Sequence, residues 1–584
     1  MQSASARAAM EHPESELLDA LRRYWGYDSF RPMQERIVRS LLGGQDACVV
    51  MPTGGGKSLC YQLPAALLAD RTVVVVSPLI ALMQDQVAQL SQMGISAALL
   101  NSTLAASEQT AILREAIAGR YRLLYLSPER LARADTIEWL QRVPVSLFAI
   151  DEAHCISEWG HEFRPEYRQL SSLRRNFPDR PIAAFTASAT RQVRHDIIEQ
   201  LALRQPHKYI ASFHRANLRY VVRQCDSGTQ SELLVRALRS YAGSNVIVYS
   251  PTIARVEETV ALLAAEGIRA IGYHGKMDSA TRRRNQEKWM SDEVPVLVGT
   301  VAFGLGINKA AVRAVIHLSL PKSIEQFYQE AGRAGRDGLP ADCVLLWQKK
   351  DAGLLAHFIE QLSDSKEHER AWQRYHIIRN FVDSTHCRHR QICLHFGETP
   401  KWSLCGACDV CGYQIGWLCA PVSVPRSKRR AKRSAMDRAA ATTTAAAITF
   451  TRGPRPSSSR EDELPASASA TAAGGPASAW WGSAGKRDVP VAGGAAAPRV
   501  DSELREYMRE WRRVTSKKLN IAAFIIMHDS SLDHLCQVQP RSLAEIRKVS
   551  GFGERKTEMY GPHILEALER FRNGERIVAE ASAE

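Results

Sequence analysis

The sequence predicts an α/β fold: two parallel sheets in tandem, each covered by helices on both faces, then a helical cysteine-bearing module, a low-complexity linker and a small all-α domain. Three observations carry this. Between about residues 45 and 345, short apolar, β-branched runs alternate with helical stretches, the pattern of parallel strands buried on both sides. Six of the 12 cysteines fall between Cys387 and Cys419, while the rest are scattered. Residues 421–500 are rich in Ala, Ser, Pro, Gly and Thr, with too few large apolar side chains to hold a core.

Taken in chain order, the first sheet is expected from ACVVMP, TVVVVSP, RLLYLSP, LFAIDEAH and PIAAFTAS, and the second from NVIVYSP, VPVLVGT and AVIHLSL, with a break at 207–219. From about residue 350 the pattern turns helical. After the linker, apolar residues at helical spacing return from Asp501 to about Arg572, with a glycine turn at VSGFGERK. The expected boundaries are a tail at 1–20, α/β domains at 21–208 and 209–346, the cysteine module at 347–415, the linker at 416–500, a helical domain at 501–576 and a tail at 577–584. A chain of 584 residues is of the length for three or four such domains.

Composition narrows the partners. The chain has 76 Lys and Arg against 62 Asp and Glu, a formal net charge of +14, so its long-range field attracts polyanions. Residues 421–500 hold 13 basic against 5 acidic residues, a net of +8, concentrated in RSKRRAKR; a solvated tail and a nonspecific DNA tether both fit. No apolar run reaches the 18 or so residues of a membrane span, and MQSASARAAMEHPE has no apolar core for a secretory signal. The expected location is the cytosol or the chromosome (the nucleoid, or the nucleus of a eukaryote). Scattered Cys48, Cys60, Cys155, Cys225, Cys343 and Cys536 read as small hydrophobes rather than a disulfide framework.

ACVVMPTGGGKSLCYQ is an apolar strand, a glycine turn and a helix start, the construction that cradles phosphates on backbone N–H groups. Thr53, Gly54, Gly55, Gly56, Lys57 and Ser58 form it: Lys57 to reach the β and γ oxygens, Ser58 to ligate magnesium. Met51 breaks the strict G-x-x-x-x-G-K-S form. About a hundred residues on, LFAIDEAH delivers Asp151, for the magnesium shell, and Glu152, to orient the attacking water. Positive charge for the γ-phosphate is expected from Arg333 and Arg336 in AGRAGRDG, read as one helical turn apart on one face. The continuation CISEWGHEFRPEY mixes Trp159, Phe163 and Tyr167 with His154, His161, Arg164 and Arg168, a composition suited to stacking on bases and pairing with phosphate.

These pieces resemble the RecQ family of superfamily 2 DNA helicases, densely from Tyr24 to Cys411. The resemblance rests on FRPMQ (30–34), TGGGKS, SPLIALMQDQ (77–86), DEAHCISEWGHEFRPEY, TASAT (186–190), VGTVAFGLGINK (298–309) and QEAGRAGRDG (329–338). It implies two RecA-like domains. Tyr27, Arg31 and Gln34 would recognise adenine, and 304–308, starting at Gly304, would link nucleotide to DNA. Single-stranded bases would stack on Trp159 and Phe163, beside His161 and Arg164, and so gate hydrolysis at Asp151 and Glu152. The activity implied is ATP-dependent 3′-to-5′ translocation on single strands with duplex unwinding, using ATP and Mg2+, in recombination, repair or replication. A translocase that remodels or anneals without strong unwinding, and an ATP-gated DNA-binding scaffold, are the alternatives.

In the cysteine cluster, CGACDVC places Cys405, Cys408 and Cys411 at two-residue gaps, the spacing of a structural Zn2+ site needing one more ligand. Cys387 matches the family's fourth ligand; Cys393 and His395 are alternatives. LREYMREWRRVTSKKLNIAAFIIMHDSSLDHLC with RSLAEIRKVSGFGERKTEMYGPHILEAL resembles an HRDC domain, which would touch single-stranded DNA or, with the linker, single-strand-binding or repair proteins. Family members usually carry a winged helix between the zinc module and HRDC, where this chain has 421–500.

Overall fold

The run Thr72–Val76 is wholly buried, and its side chains divide between two cores. Val73 and Val75 pack with Val49, Tyr125 and Phe185, whereas Val74 and Val76 pack with Val50, Leu126 and Phe148. Alternate residues of a strand point to opposite faces, so both sides of this sheet are covered, as unbroken apolar runs require. The computed structural model describes residues 13–101, 104–160, 162–301, 303, 309–419, 502–519 and 521–575.

The first sheet comprises β1 (Ala47–Val50), β2 (Thr72–Val76), β3 (Ala97–Leu100), β4 (Leu123–Leu126), β5 (Val145–Ile150), β6 (Ile182–Thr186) and β7 (His207–Ile210), in the order β3-β4-β2-β5-β6-β1-β7. The second comprises β8 (Leu218–Gln224), β9 (Asn245–Tyr249), β10 (Ala270–Tyr273), β11 (Val296–Gly299), β12 (Val312–His317) and β13 (Ala341–Trp347), in the order β10-β11-β9-β12-β13-β8. All their pairings are parallel. Strands β1 and β5 are separated by β6 alone, so the segments leaving their carboxyl ends face one crevice, where open α/β sheets bind ligands.

Three expected boundaries move. The tail at 1–20 is in part structural: Glu14–Ala20 is helical and runs on into the π-helical turn Leu21–Trp25. Leu17, Leu21 and Trp25, four residues apart, enter the core beside Val49. The break is shorter than 207–219, because β7 forms the edge of the first sheet beside β1, leaving 211–217 as the connection. The cysteine module extends past 415, since Gly416–Cys419 makes a helical turn that buries Trp417 with Ile415 in the second domain's core. Expectations for the linker from 420 to 501 fall outside the described residues.

Beyond β13 come the helices Lys349–Glu360, Ser365–Asp383 and Arg388–His395. The C-terminal domain packs the helices Ser502–Leu519, Asp529–Val538 and Glu554–Arg572 around Met508, Leu532, Leu535 and Ile564. It also packs on both sheet domains. Gly553 has an ordinary φ of −75°, yet a Cβ there would come within 2.5 Å of the Arg23 and Tyr24 carbonyl oxygens; close approach explains this glycine. The Tyr560 hydroxyl donates to Gln92 Oε1 at 2.8 Å. On the second domain, Asp292 pairs with Arg509 at 3.1 Å and with Lys309 at 2.6 Å. Among the described residues, no helix is long and apolar enough to cross a membrane.

Candidate functional site

Strand β1 ends in the glycine turn, and the helix Lys57–Leu67 starts from Gly56 in the left-handed conformation, φ +81°. The turn is gripped from behind. Gln34 donates to the Gly56 carbonyl at 3.1 Å, and the Gln34 amide oxygen accepts from the Arg31 backbone N–H at 2.9 Å. The Arg31 guanidinium donates to the Gly54 carbonyl. Burial raises the Tyr27 hydroxyl above its ordinary pKa. Arg31 and Gln34 therefore fix the phosphate loop itself. Lys57 Nζ donates to the Met51 carbonyl at 3.3 Å, and the Ser58 hydroxyl accepts from Gln86 at 3.2 Å.

Asp151 and Glu152 leave the end of β5. Burial, with the neighbouring Glu152 charge, pushes the Asp151 carboxyl up to about 7, against the lowering pull of Lys57. Two adjacent acids so placed suit a divalent cation, which would offset their repulsion; Ser58 and Asp151 could hold it. Glu152 has a φ of +46°, a costly conformation for a side chain with a Cβ. It directs the carboxylate to His154, 3.3 Å away.

Two expected members of the aromatic surface are internal. His154 is buried and its Nδ1 lies 2.9 Å from the Thr186 hydroxyl, joining DEAH to TASAT. Tyr167 is fully buried and donates to the Asp151 carbonyl at 2.9 Å, tying the far end of the loop to the acidic pair. Trp159 and Phe163 remain exposed, Trp159 by 48%. Arg370, from the helix Ser365–Asp383, lies 5.4 Å from the Trp159 ring centre and pairs with Glu158 at 2.7 Å. Arg168 lies over Phe163 at 5.4 Å, and Arg164 is half-buried. His161 and Gly304 lie outside the described residues.

Arg333 and Arg336 do not share a helix face. The helix Ile324–Ala331 stops at Gly332, and Gly335 has φ +55°, so both arginines sit in a turn. The left-handed backbone at Gly335 outweighs the helical spacing. Neither arginine belongs to a solvated face. Burial, aided by the nearby charges of Arg333 and Arg215, pushes Arg336 down to about 9. Its side chain passes over the phosphate loop, 3.4 Å from where a Cβ on Gly54 would stand. The Thr53 hydroxyl donates to the Gly332 carbonyl at 3.0 Å, and Gln329 to Ser188 at 2.8 Å, so the second domain closes directly on the first.

Cys387, Cys405, Cys408 and Cys411 bring their sulfurs within 4.8 Å of one another. The Cys405 and Cys411 sulfurs are 3.8 Å apart, close to the edge of about 3.8 Å that Zn–S bonds of about 2.3 Å give a tetrahedron. Burial pushes the Cys408 thiol up to about 11, so a cation is what would hold it as thiolate. The four fit zinc. Cys393 is buried outside the cluster, and His395 bonds Glu325 at 2.6 Å.

Residues 31–196 match the DEAD/DEAH box helicase family, 229–338 the helicase conserved C-terminal domain, 349–412 the RecQ zinc-binding family and 501–568 the HRDC domain. The chain is 43% identical over 394 residues to the ATP-dependent DNA helicase RecQ of Haemophilus influenzae, covering 68% of this chain and 63% of that protein. The Bacillus subtilis protein of the same name is 42% identical over 397 residues, covering 67% and 66%. This chain belongs to the RecQ family. It spans a little under two thirds of the length of these RecQ relatives.

Within this RecQ chain, the fourth sulfur nearest the CGACDVC triplet is Cys387, twenty or so residues upstream, and not Cys393. Replacing Cys408 by Ser should drop bound zinc from about one per chain toward zero by elemental analysis and leave residues 387–412 open to protease, because the metal supplies folding energy. Full solubility and protease resistance without metal would mean that the RecQ module stands on its apolar contacts. Gln86, whose signal in the sequence is its place in SPLIALMQDQ, joins Tyr61, Gln62, Tyr125 and Ser58 in one largely buried network behind the phosphate loop.

Proposed function

We propose that the protein is an ATP-dependent DNA helicase that couples hydrolysis of Mg-ATP to 3′-to-5′ movement on single-stranded DNA and to strand separation. The observation that carries the reading is the convergence of Lys57, Asp151, Glu152 and Arg336 on one crevice, with Arg336 delivered across the domain boundary over Gly54. In this reading the backbone of 53–58 and Lys57 bind the triphosphate, Asp151 and Ser58 hold the cation, and Glu152 orients water and accepts its proton. A magnesium ion held there would supply neutralisation of the triphosphate charge. Arg333 and Arg336 stabilise charge on the γ-phosphoryl oxygens only when the domains are closed, which makes hydrolysis depend on domain position. The polarity rests on family membership.

Coupling to DNA runs through the aromatic loop. Trp159 and Phe163 offer stacking surfaces at one end, and Tyr167 grips Asp151 at the other. Hydrolysis that rises with single-stranded DNA, together with displacement of a strand from a 3′-tailed duplex, is the expected behaviour. Stimulated hydrolysis without displacement reassigns the chain to remodelling or annealing. Trp159→Ala should lower the ratio of DNA-stimulated to DNA-independent turnover about tenfold, measured at saturating DNA so that the lost stacking affinity, about 1 to 3 kcal/mol per base, does not enter. Full stimulation of the variant would make the loop a binding surface alone.

A further inference from the structure

The connection between the sheets carries a side chain that the nucleotide chemistry leaves unexplained. Arg215 Nη1 donates to the Gly332 carbonyl at 2.7 Å, and Nη2 to the carbonyls of Ala334 and Gly335 at 3.0 and 2.8 Å. Asn217 adds bonds to Gly335 and Leu339 at 2.8 and 2.9 Å. These acceptors need partners because the helix Ile324–Ala331 has ended and the chain reverses at Gly335. The Gly332 carbonyl also receives the Thr53 hydroxyl of the phosphate loop. One guanidinium thus holds three carbonyls of the very turn that bears Arg333 and Arg336.

The same residue is anchored at its backbone. Its carbonyl accepts from Leu218 N–H at 3.0 Å and stands 3.3 Å from His389 Nε2, while His389 Nδ1 is 3.2 Å from the Cys405 sulfur. The cysteine module therefore buttresses the point from which Arg215 reaches into the site. A third cation here is not free of cost, since the Arg215 charge opposes that of Arg336. A neutral amide would avoid the repulsion, but it could not span three carbonyls with a rigid fork of donors.

We infer that Arg215 is a positioning residue for hydrolysis: it sets the 332–335 turn so that Arg333 and Arg336 face the phosphate loop, with the cysteine module as its backing. The inference rests on the ATPase reading of the site. Arg215 touches no phosphate; it acts through the turn. Arg215→Lys keeps the charge and loses the fork, so it separates positioning from electrostatics.

With saturating single-stranded DNA, Arg215→Ala should lower kcat for ATP about 100-fold and leave the affinity for a non-hydrolysable ATP analogue within about threefold. Arg215→Lys should be nearly as slow. Amide hydrogen exchange across 332–338 should speed up in both, while the strands of the second sheet keep parental rates. Adding Arg215→Ala to the double variant Arg333→Ala/Arg336→Ala should slow it no further, because a residue acting through the turn adds nothing once both arginines are gone. A further loss when Arg215→Ala is added to Arg333→Ala/Arg336→Ala, or a lysine variant at parental speed, overturns the inference. So does exchange across 332–338 that stays at the parental rate. A parent chain without ATP hydrolysis overturns the reading beneath it, whereas an active parent matched within twofold by Arg215→Ala overturns the inference alone.

Discussion

Lys57→Ala should cut ATP hydrolysis at least 100-fold, with or without DNA, while the chain keeps its affinity for single-stranded DNA. Lys57 opens the helix Lys57–Leu67 just past the left-handed Gly56, and its ammonium reaches back to the Met51 carbonyl at 3.3 Å. That places a mobile cation beside the glycine turn, in position to pass from a backbone oxygen to the β and γ oxygens. Arg31 and Gln34 are committed to the carbonyls of the turn, and Arg336 reaches it from the second domain. Loss of that charge also removes a pull that lowers the Asp151 carboxyl, so the acid pair becomes harder to ionise. The exposed aromatics lie on a separate segment that Lys57 does not touch. Steady-state hydrolysis and fluorescence anisotropy of a labelled oligonucleotide test both halves. Residual activity above a tenth of the parent's overturns the assignment of the phosphate site, and a parallel loss of DNA affinity overturns the separation of the two surfaces.

What could be read from the sequence follows from burial. Strands β2, β5 and β6 announce themselves because both faces are covered, which forces runs such as TVVVV and VSLFAI. Edge strand β7 does not, since HKYI exposes three of its four residues. β10, AIGY, is half-buried throughout and equally silent. The helix at Glu14–Ala20 was legible in the spacing of Leu17, Leu21 and Trp25, but the small and polar residues around it resemble a tail. At the site, the side chains brought to the crevice were legible by type and spacing, whereas residues that act on other residues were not. Arg215 holds carbonyls 117 to 120 positions away. Tyr167 reads as one more exposed aromatic until its hydroxyl is seen on Asp151. Arg333 and Arg336 illustrate the middle case: residue type and spacing were legible, but conformation depended on Gly335, whose left-handed backbone lets the chain leave the helix.

Arg336→Ala should lower turnover about 1,000-fold, close to 4 kcal/mol at about 1.4 kcal/mol per decade, with ATP affinity within a few-fold of the parent's. The magnitude is that of a lost arginine finger. Its basis is that Arg336 comes from the second domain, lies over Gly54 of the first, and is half-buried, with desolvation that pushes its pKa down to about 9. A guanidinium held in such a place, next to Arg333 and Arg215 and only partly offset by the charge of Glu152, gains as a cation when further negative charge develops beside it. Charge developing on a transferring phosphoryl group meets that need more fully than the ground state does, so the benefit falls on the barrier more than on binding. Removal should also leave the Thr53 to Gly332 contact between the domains intact, because that contact uses backbone on the arginine turn and a different side chain. Two measurements decide: binding of a non-hydrolysable analogue, and single-turnover hydrolysis at saturating ATP and DNA. If affinity collapses while the single-turnover rate survives, Arg336 anchors the ground state. If both fall together with the melting temperature, Arg336 is a packing residue of the domain interface, and the positive charge for phosphoryl transfer must be sought in Arg333.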